Sequence, residues 1–149
     1  MTNPRAWACC LALMFAATPV FAQAPAAGRI QIASGSVFIL RSGTVIPAAA
    51  GQLVFEADTL RTGRDGRLGI TLKDDTRIAF GPGSEARLDS FAYAPADGRL
   101  GFVLRVVRGV AAYVSGRIAK LSPDSVRIET PAAIVGVRGT TLAIRVSQE

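Results

Sequence analysis

From Gly28 onward the chain alternates apolar and polar residues with a period of two, and this pattern restricts it to half-buried β-strands. Ile30 and Ile32 alternate with Arg29 and Gln31, and Leu68, Ile70 and Leu72 with Arg67, Gly69, Thr71 and Lys73. Leu100, Phe102, Leu104 and Val106 place one apolar face opposite Arg99, Gly101, Arg105 and a lone Val107; Val110, Ala112 and Val114 follow directly. Val126 and Ile128 alternate with Arg127 and Glu129, as Leu142, Ile144 and Val146 do with Thr141, Ala143 and Arg145. Successive strand side chains point to opposite faces, so each run gives one side to a core and one to water. No segment keeps a three-to-four spacing over eleven residues, and the fold class expected is all-β.

The interruptions have turn chemistry. Gly63-Arg64-Asp65-Gly66, Gly81-Pro82-Gly83, Pro95-Ala96-Asp97-Gly98 and Ser122-Pro123-Asp124 supply positive φ, fixed φ or a side-chain cap. Asp74-Asp75 between two alternating runs predicts a tight hairpin with a capping aspartate. Short strands at near-regular spacing suit a single domain of short stacked strands, either β-helix (solenoid)-like or sandwich-like. No fixed-period repeat selects between these. Arginines on the solvent faces are expected to keep strand edges from pairing with other chains.

Upstream of the alternating region, Arg5 precedes an apolar run from Ala6 to Ala17, Thr18-Pro19 breaks it, and Val20-Phe21-Ala22 offers a small-residue cleavage site. This predicts a signal peptide over 1–22, a short linker over 23–28 and a β domain over 29–147. The apolar run is well short of the roughly 20 residues of a spanning helix, so no stable membrane span is expected after cleavage. The protein is expected to be periplasmic or extracellular. Both cysteines lie in the leader and the chain has no histidine. The mature domain therefore has no Ser–His or Cys–His nucleophile, and no nitrogen or sulfur metal ligand. No cofactor is expected. Fifteen of the seventeen basic residues are arginines, and without Arg5 the net charge is +5. Export argues against nucleic acid as partner and leaves an anionic envelope glycan as a candidate beside an envelope protein.

Candidate chemistry is sparse. Glu56 and Asp58, placed on one face of a strand, and Asp74-Asp75, sharing a turn, are the carboxylates a glycan-acting enzyme would need, but nothing marks one pair. Phe91 and Tyr93, two apart, predict either core packing or a stacking platform. The segment from Thr130 to Thr140 holds Gly136 and Gly139 three apart in a β-branched run. Glycine in a strand marks a bend or a close approach. Arg138 between the two is expected to turn inward onto carbonyl or carboxylate partners, as a structural anchor or a partner contact, with Gly136, Gly139 and Thr140 setting its position.

The run TPAAIVGVRGTTLAIRV resembles the closing signature of the FecR domain family. DTLRTGRDGRLGITLKDDTRIAFGPGSEARL is similar to that family's middle segment, and GSVFILRSGTVIPAAAGQLVFEADTL to its opening. One departure is Asp75, where the family usually places glycine after the aspartate. The resemblance implies a periplasmic β-rich module. The best-known members are transmembrane regulators that receive a signal from an outer-membrane transporter and control a sigma factor. This chain is read as the sensor-type domain alone, without the sigma-binding and membrane-spanning parts. The expectation is a non-catalytic module binding another envelope component, with a structural scaffold subunit as the alternative.

Overall fold

In the computed structural model, residues 23–139 and 141–147 are described. The signal-peptide reading and Thr140 lie outside them. The strands are β1 (Gly28–Ser34), β2 (Val37–Arg41), β3 (Thr44–Pro47), β4 (Leu53–Val54), β5 (Thr59–Thr62), β6 (Arg67–Leu72), β7 (Arg77–Phe80), β8 (Glu85–Ala94), β9 (Arg99–Val114), β10 (Val126–Glu129), β11 (Ile134–Gly136) and β12 (Thr141–Val146), with one short helix, α1 (Arg117–Leu121). Among the described residues strand accounts for 57% and helix, with the short 3-10 turns at Pro95–Asp97 and Pro123–Ser125 included, for 9%, and the 12-stranded sheet curls into a half-barrel. The all-β expectation holds. Of the described strand pairs only β9–β10 is parallel, whereas a β-helix stacks its strands in parallel.

The curl follows from β9. Its first half, up to Arg108, pairs with β8 and β10, and its second half, from Gly109, pairs with β7 and β12. One wing of the sheet thus reads β4-β1-β6-β7-β9-β12, and the other reads β3-β2-β5-β8-β9-β10-β11. At the fold line the buried side chains of Thr62 and Ser84 replace ladder bonds. Thr62 Oγ1 donates to Gly81 O at 2.7 Å and accepts from Ser84 N at 2.8 Å. Ser84 Oγ accepts from Val110 N at 2.9 Å and donates to Val110 O at 3.0 Å. Backbone groups freed by the bend are thereby satisfied, as buried polar groups must be.

One core joins both wings, with Ile30, Ile39, Leu60, Leu68, Ile78, Leu88, Phe102, Leu104, Tyr113 and Ile128 all essentially inaccessible. Each such Leu, Ile or Phe contributes roughly 1.5–3 kcal/mol by leaving water. Leu142, Ile144 and Val146 of β12 pack on its rim. Ala27 was read as linker, but it is buried, its N–H donates to Val54 O and its carbonyl accepts from Lys73 N. The fold therefore begins before residue 29.

Two slips in the alternation correct the expected core. A register shift between Ile30 and Ile32 leaves Ile30 inside but puts Ile32 outside, 62% exposed. A bulge residue is invisible to a period-two count, because it reverses every side chain beyond it. In β9 the second slip comes around Gly109, whose φ is +88. Phe102, Leu104 and Val106 face inward, but beyond the glycine it is Ala111 and Tyr113 that do so, and Val110, Ala112 and Val114 face out.

The Asp74-Asp75 hairpin forms between β6 and β7 as expected. Asp74, fully buried, accepts from Thr76 N at 3.1 Å and Thr76 Oγ1 at 2.7 Å, and its Oδ2 also accepts from Ile118 N at 3.3 Å. Its carbonyl accepts from Arg117 N. The same aspartate therefore closes a hairpin and seats the start of α1, which plugs the core with Ile118 and Ala119. Gly116 is required at this junction, since a Cβ there would overlap Asp74 O and Thr76 N.

Candidate functional site

The outer face of the first wing is built from residues the two slips turned outward. Across five strands the register aligns Ile32, Gly69, Ala79, Ala112 and Ala143 in one row. A row to one side runs Arg29, Thr71, Arg77, Val114, Thr141. On the other side Arg67 lies opposite Ser34, and Arg145 opposite Val110. Small residues between taller rows leave a trough. One depression of about 540 Å³ is lined by Ile32, Gly69, Ala79, Ala112, Arg77 and Val114. A second, of about 430 Å³, shares the first four and adds Arg67 and Val110.

The charge on this face is segregated. None of the strand segments of the first wing contains an aspartate or a glutamate. Arg29, Arg67, Arg77 and Arg145 have no ion pair among the described residues. On the second wing most arginines are ion-paired instead, Arg127 being the exception among the described residues. Glu85 takes Arg61 at 3.2 Å and Arg108 at 3.3 Å. Asp89 takes Arg87 at 3.1 Å and Arg105 at 3.0 Å, and Arg105 also reaches Glu129 at 3.1 Å. There an acid lies beside most of the arginines, across a strand pair or along the strand, so the arginines without an ion pair among the described residues are concentrated on the first wing.

Strand β12 adds an open edge, since it pairs with β9 alone among the described residues. The edges at the second wing's ends are β3, which is four residues long and ends in Pro47, and the three-residue β11. Short strands and proline are ordinary means of blunting an edge, and β12 has neither.

The residues singled out from sequence fall elsewhere. Arg138 does not turn inward: it is 81% exposed and meets Asp124, itself 87% exposed, at 3.3 Å. Gly139 has φ +61, so the bend is real, but the arginine beside it faces solvent. Gly136 ends β11 with nothing within 4 Å of a Cβ placed on it, so no close approach requires glycine there.

Glu56 and Asp58 lie in a turn and not on a strand. Asp58 is buried and bound to Arg41, whereas exposed Glu56 accepts from Phe91 N at 3.1 Å. Asp75 is exposed and meets Arg117 at 3.1 Å. Phe91 and Tyr93 pack against the core. Among the described residues no three acidic side chains gather where a metal ion could sit, and no helix is long and apolar enough to cross a membrane.

The residue that does anchor the fold is Arg41, which sequence reasoning missed. The hydrogen-bonded Asp58 carboxylate raises its guanidinium above the ordinary arginine value. The pair joins residues 17 apart in no recognisable motif, so no local signal marked it. Arg67, Arg77 and Arg145 were legible only as solvent-facing arginines, because their alignment depends on strand order.

The family model described as FecR protein matches residues 58–149. It takes in β5 to β12, including every strand of the half-barrel's fold line, and begins after nearly all of the opening segment that resembles the family. No curated protein and no solved structure matches the chain. The matched region covers more than half of the sequence and contains the hairpin and closing motifs, so the chain belongs to the FecR protein family.

Proposed function

We propose that this chain works outside the cytoplasm as a non-catalytic FecR-type module, holding another component of the cell envelope against the outer face of its first wing. The observation that carries this reading is the charge segregation. Among the described residues one wing holds all of its arginines but Arg127 in ion pairs, while the other presents four without one around an uncovered apolar floor. A cationic rim around exposed apolar surface is the composition of a contact site. Family membership supports a role related to envelope signalling. The non-catalytic reading is supported by the engagement of Asp58 and Asp74 in structural hydrogen bonds.

The test is site-specific photo-crosslinking of the full chain in its native envelope, with captured material identified by mass spectrometry. Probes at Ala79 and Ala143, on the trough floor, are compared with one at exposed Ala96 on the far turn. The reading expects capture from the first two positions that unlabelled protein competes away. Equal capture from all three would end it. A second reading, a scaffold subunit assembling by strand pairing, is favoured by the open edge of β12. It expects cross-links from Ala143 to lead to another copy of the chain.

A further inference from the structure

We infer that the trough on the first wing binds an elongated anionic polysaccharide lying across the strands. This rests on the binding-module reading above and names its ligand class. The floor row crosses four strand intervals, about 19 Å at the usual strand spacing, which is the length of a short oligosaccharide. The flanking rows stand two residues away on either side, so their Cα positions are about 14 Å apart. Arg77 lines one wall and Arg67 the other, and Arg145 continues Arg67's side three strands further along. Guanidinium groups on both rims present planar forks suited to carboxylates or sulfates along a chain between them. No acid on these strands competes for them.

The floor decides among anionic partners. An extended acidic peptide crossing a sheet face meets side chains and no backbone ladder. Ile32, Gly69, Ala79, Ala112 and Ala143 could not satisfy its N–H and C=O groups, and burying those unmet is costly. A sugar chain has C–H faces to lay on this aliphatic floor, and it directs hydroxyl and acid groups sideways to the rims and to water. An anionic bilayer is planar and would leave the small-residue floor uncovered. A second copy would set these arginines against its own, a like-charge contact that costs energy.

The experiment is a titration of the full chain with an oligogalacturonate of defined length, beside a maltooligosaccharide of equal length and phosphatidylglycerol vesicles. Saturable binding of the oligogalacturonate alone is expected, weakening as salt is added because exposed charges are screened. Arg67→Ala, Arg77→Ala and Arg145→Ala should each lower its affinity about three- to tenfold, as loss of one rim contact would. Ala112→Leu, which raises the floor and alters no charge, should weaken it as well. Arg61→Ala and Arg87→Ala on the second wing should leave it unchanged, with melting temperatures checked for every variant. Absence of binding, equal binding of the neutral sugar, binding of vesicles alone, or equal loss from second-wing variants would each overturn the inference. If the oligogalacturonate fails while probes at Ala79 and Ala143 still capture a partner, the ligand class is wrong and the binding module stands. If it binds in solution while those probes capture no more than Ala96 does, the trough's ligand chemistry stands and its use against an envelope component fails.

Discussion

Arg41 and Asp58 meet in a two-point ion pair, with Nε donating to Oδ1 at 2.8 Å and Nη2 to Oδ2 at 2.7 Å. Asp58 is 1% exposed, and its Oδ2 also accepts from the N–H of Phe55 at 2.9 Å. Arg41 also donates to Leu53 O at 3.1 Å, and its guanidinium lies 4.5 Å from the centre of the Phe55 ring. One arginine at the end of β2 therefore pins the whole turn that leads from β4 into β5.

Two arginine truncations should accordingly separate widely. Arg41→Ala leaves a buried carboxylate without its cation and should cost about 3 kcal/mol or more. Arg138→Ala removes only an exposed contact to Asp124, and such pairs are worth about 0–1 kcal/mol. Urea denaturation of both variants against the parent measures this directly. Similar losses from the two would show that Asp58 is not held as described.

The contrast shows what the sequence could and could not reveal. Leu68, Ile70 and Leu72 are buried as their alternation predicts, and Asp74 caps its hairpin as the turn chemistry requires. These features depend on residues close together in the chain. Ile32, Val110, Ala112 and Val114 were misassigned to the core because one inserted residue, or one glycine at positive φ, reverses the face without changing composition. The candidate face is assembled from those same residues, together with arginines brought alongside by strand order. It was therefore the least legible part of the molecule. The Arg41–Asp58 pair was hidden for a related reason, since only tertiary structure brings its partners together.

Gly109 is where the sheet folds over, and it should not tolerate a side chain. Its φ of +88 is unfavourable for any L-residue, and a Cβ would overlap Oγ and Cα of Ser84. Gly109→Ala should destabilise by several kcal/mol, because backbone strain and a clash with buried backbone act together. Ser84→Ala keeps the backbone but leaves the Val110 N–H without its acceptor, at about 1–3 kcal/mol. The predicted order of melting temperatures is parent, Ser84→Ala, Gly109→Ala. A Gly109→Ala protein as stable as the parent would be incompatible with the bend.

Tyr113 gives the fold an alkaline limit. Its side chain is buried against Phe102, with ring centroids 5.8 Å apart, and its hydroxyl has no hydrogen-bond partner among the described residues. Burial, reinforced by the negative Asp74 carboxylate, pushes it up to about 12 from its ordinary value of 10.0. The unfolded chain then loses this proton before the folded one does. The stability this group contributes should be complete below pH 10 and should be lost as the pH rises toward 12, by about 3 kcal/mol in all. Tyr113→Phe, which deletes the unpartnered hydroxyl, should flatten that limb of the stability profile and change stability at pH 7 little. An unaltered alkaline limb in the variant would place the titrating group elsewhere.

Asp75 carries a testable trace of the family's turn. Its φ of +67 lies in the left-handed region, where a side chain is disfavoured and glycine is not. The glycine that the resemblance leads one to expect at this position would meet this geometry without strain, and this chain accepts some strain in keeping an aspartate. What the aspartate gives in return is its contact with Arg117 at 3.1 Å, between side chains that are each 64% exposed. An exposed pair of this kind contributes little, less than the strain that glycine relieves. The hairpin's own cap belongs to Asp74 and is untouched by the change. Asp75→Gly should therefore raise stability by about 0.5 kcal/mol, and the gain should grow at high salt, where the parent's ion pair is screened. A loss of stability at both low and high salt would mean that the Arg117 contact outweighs the backbone term.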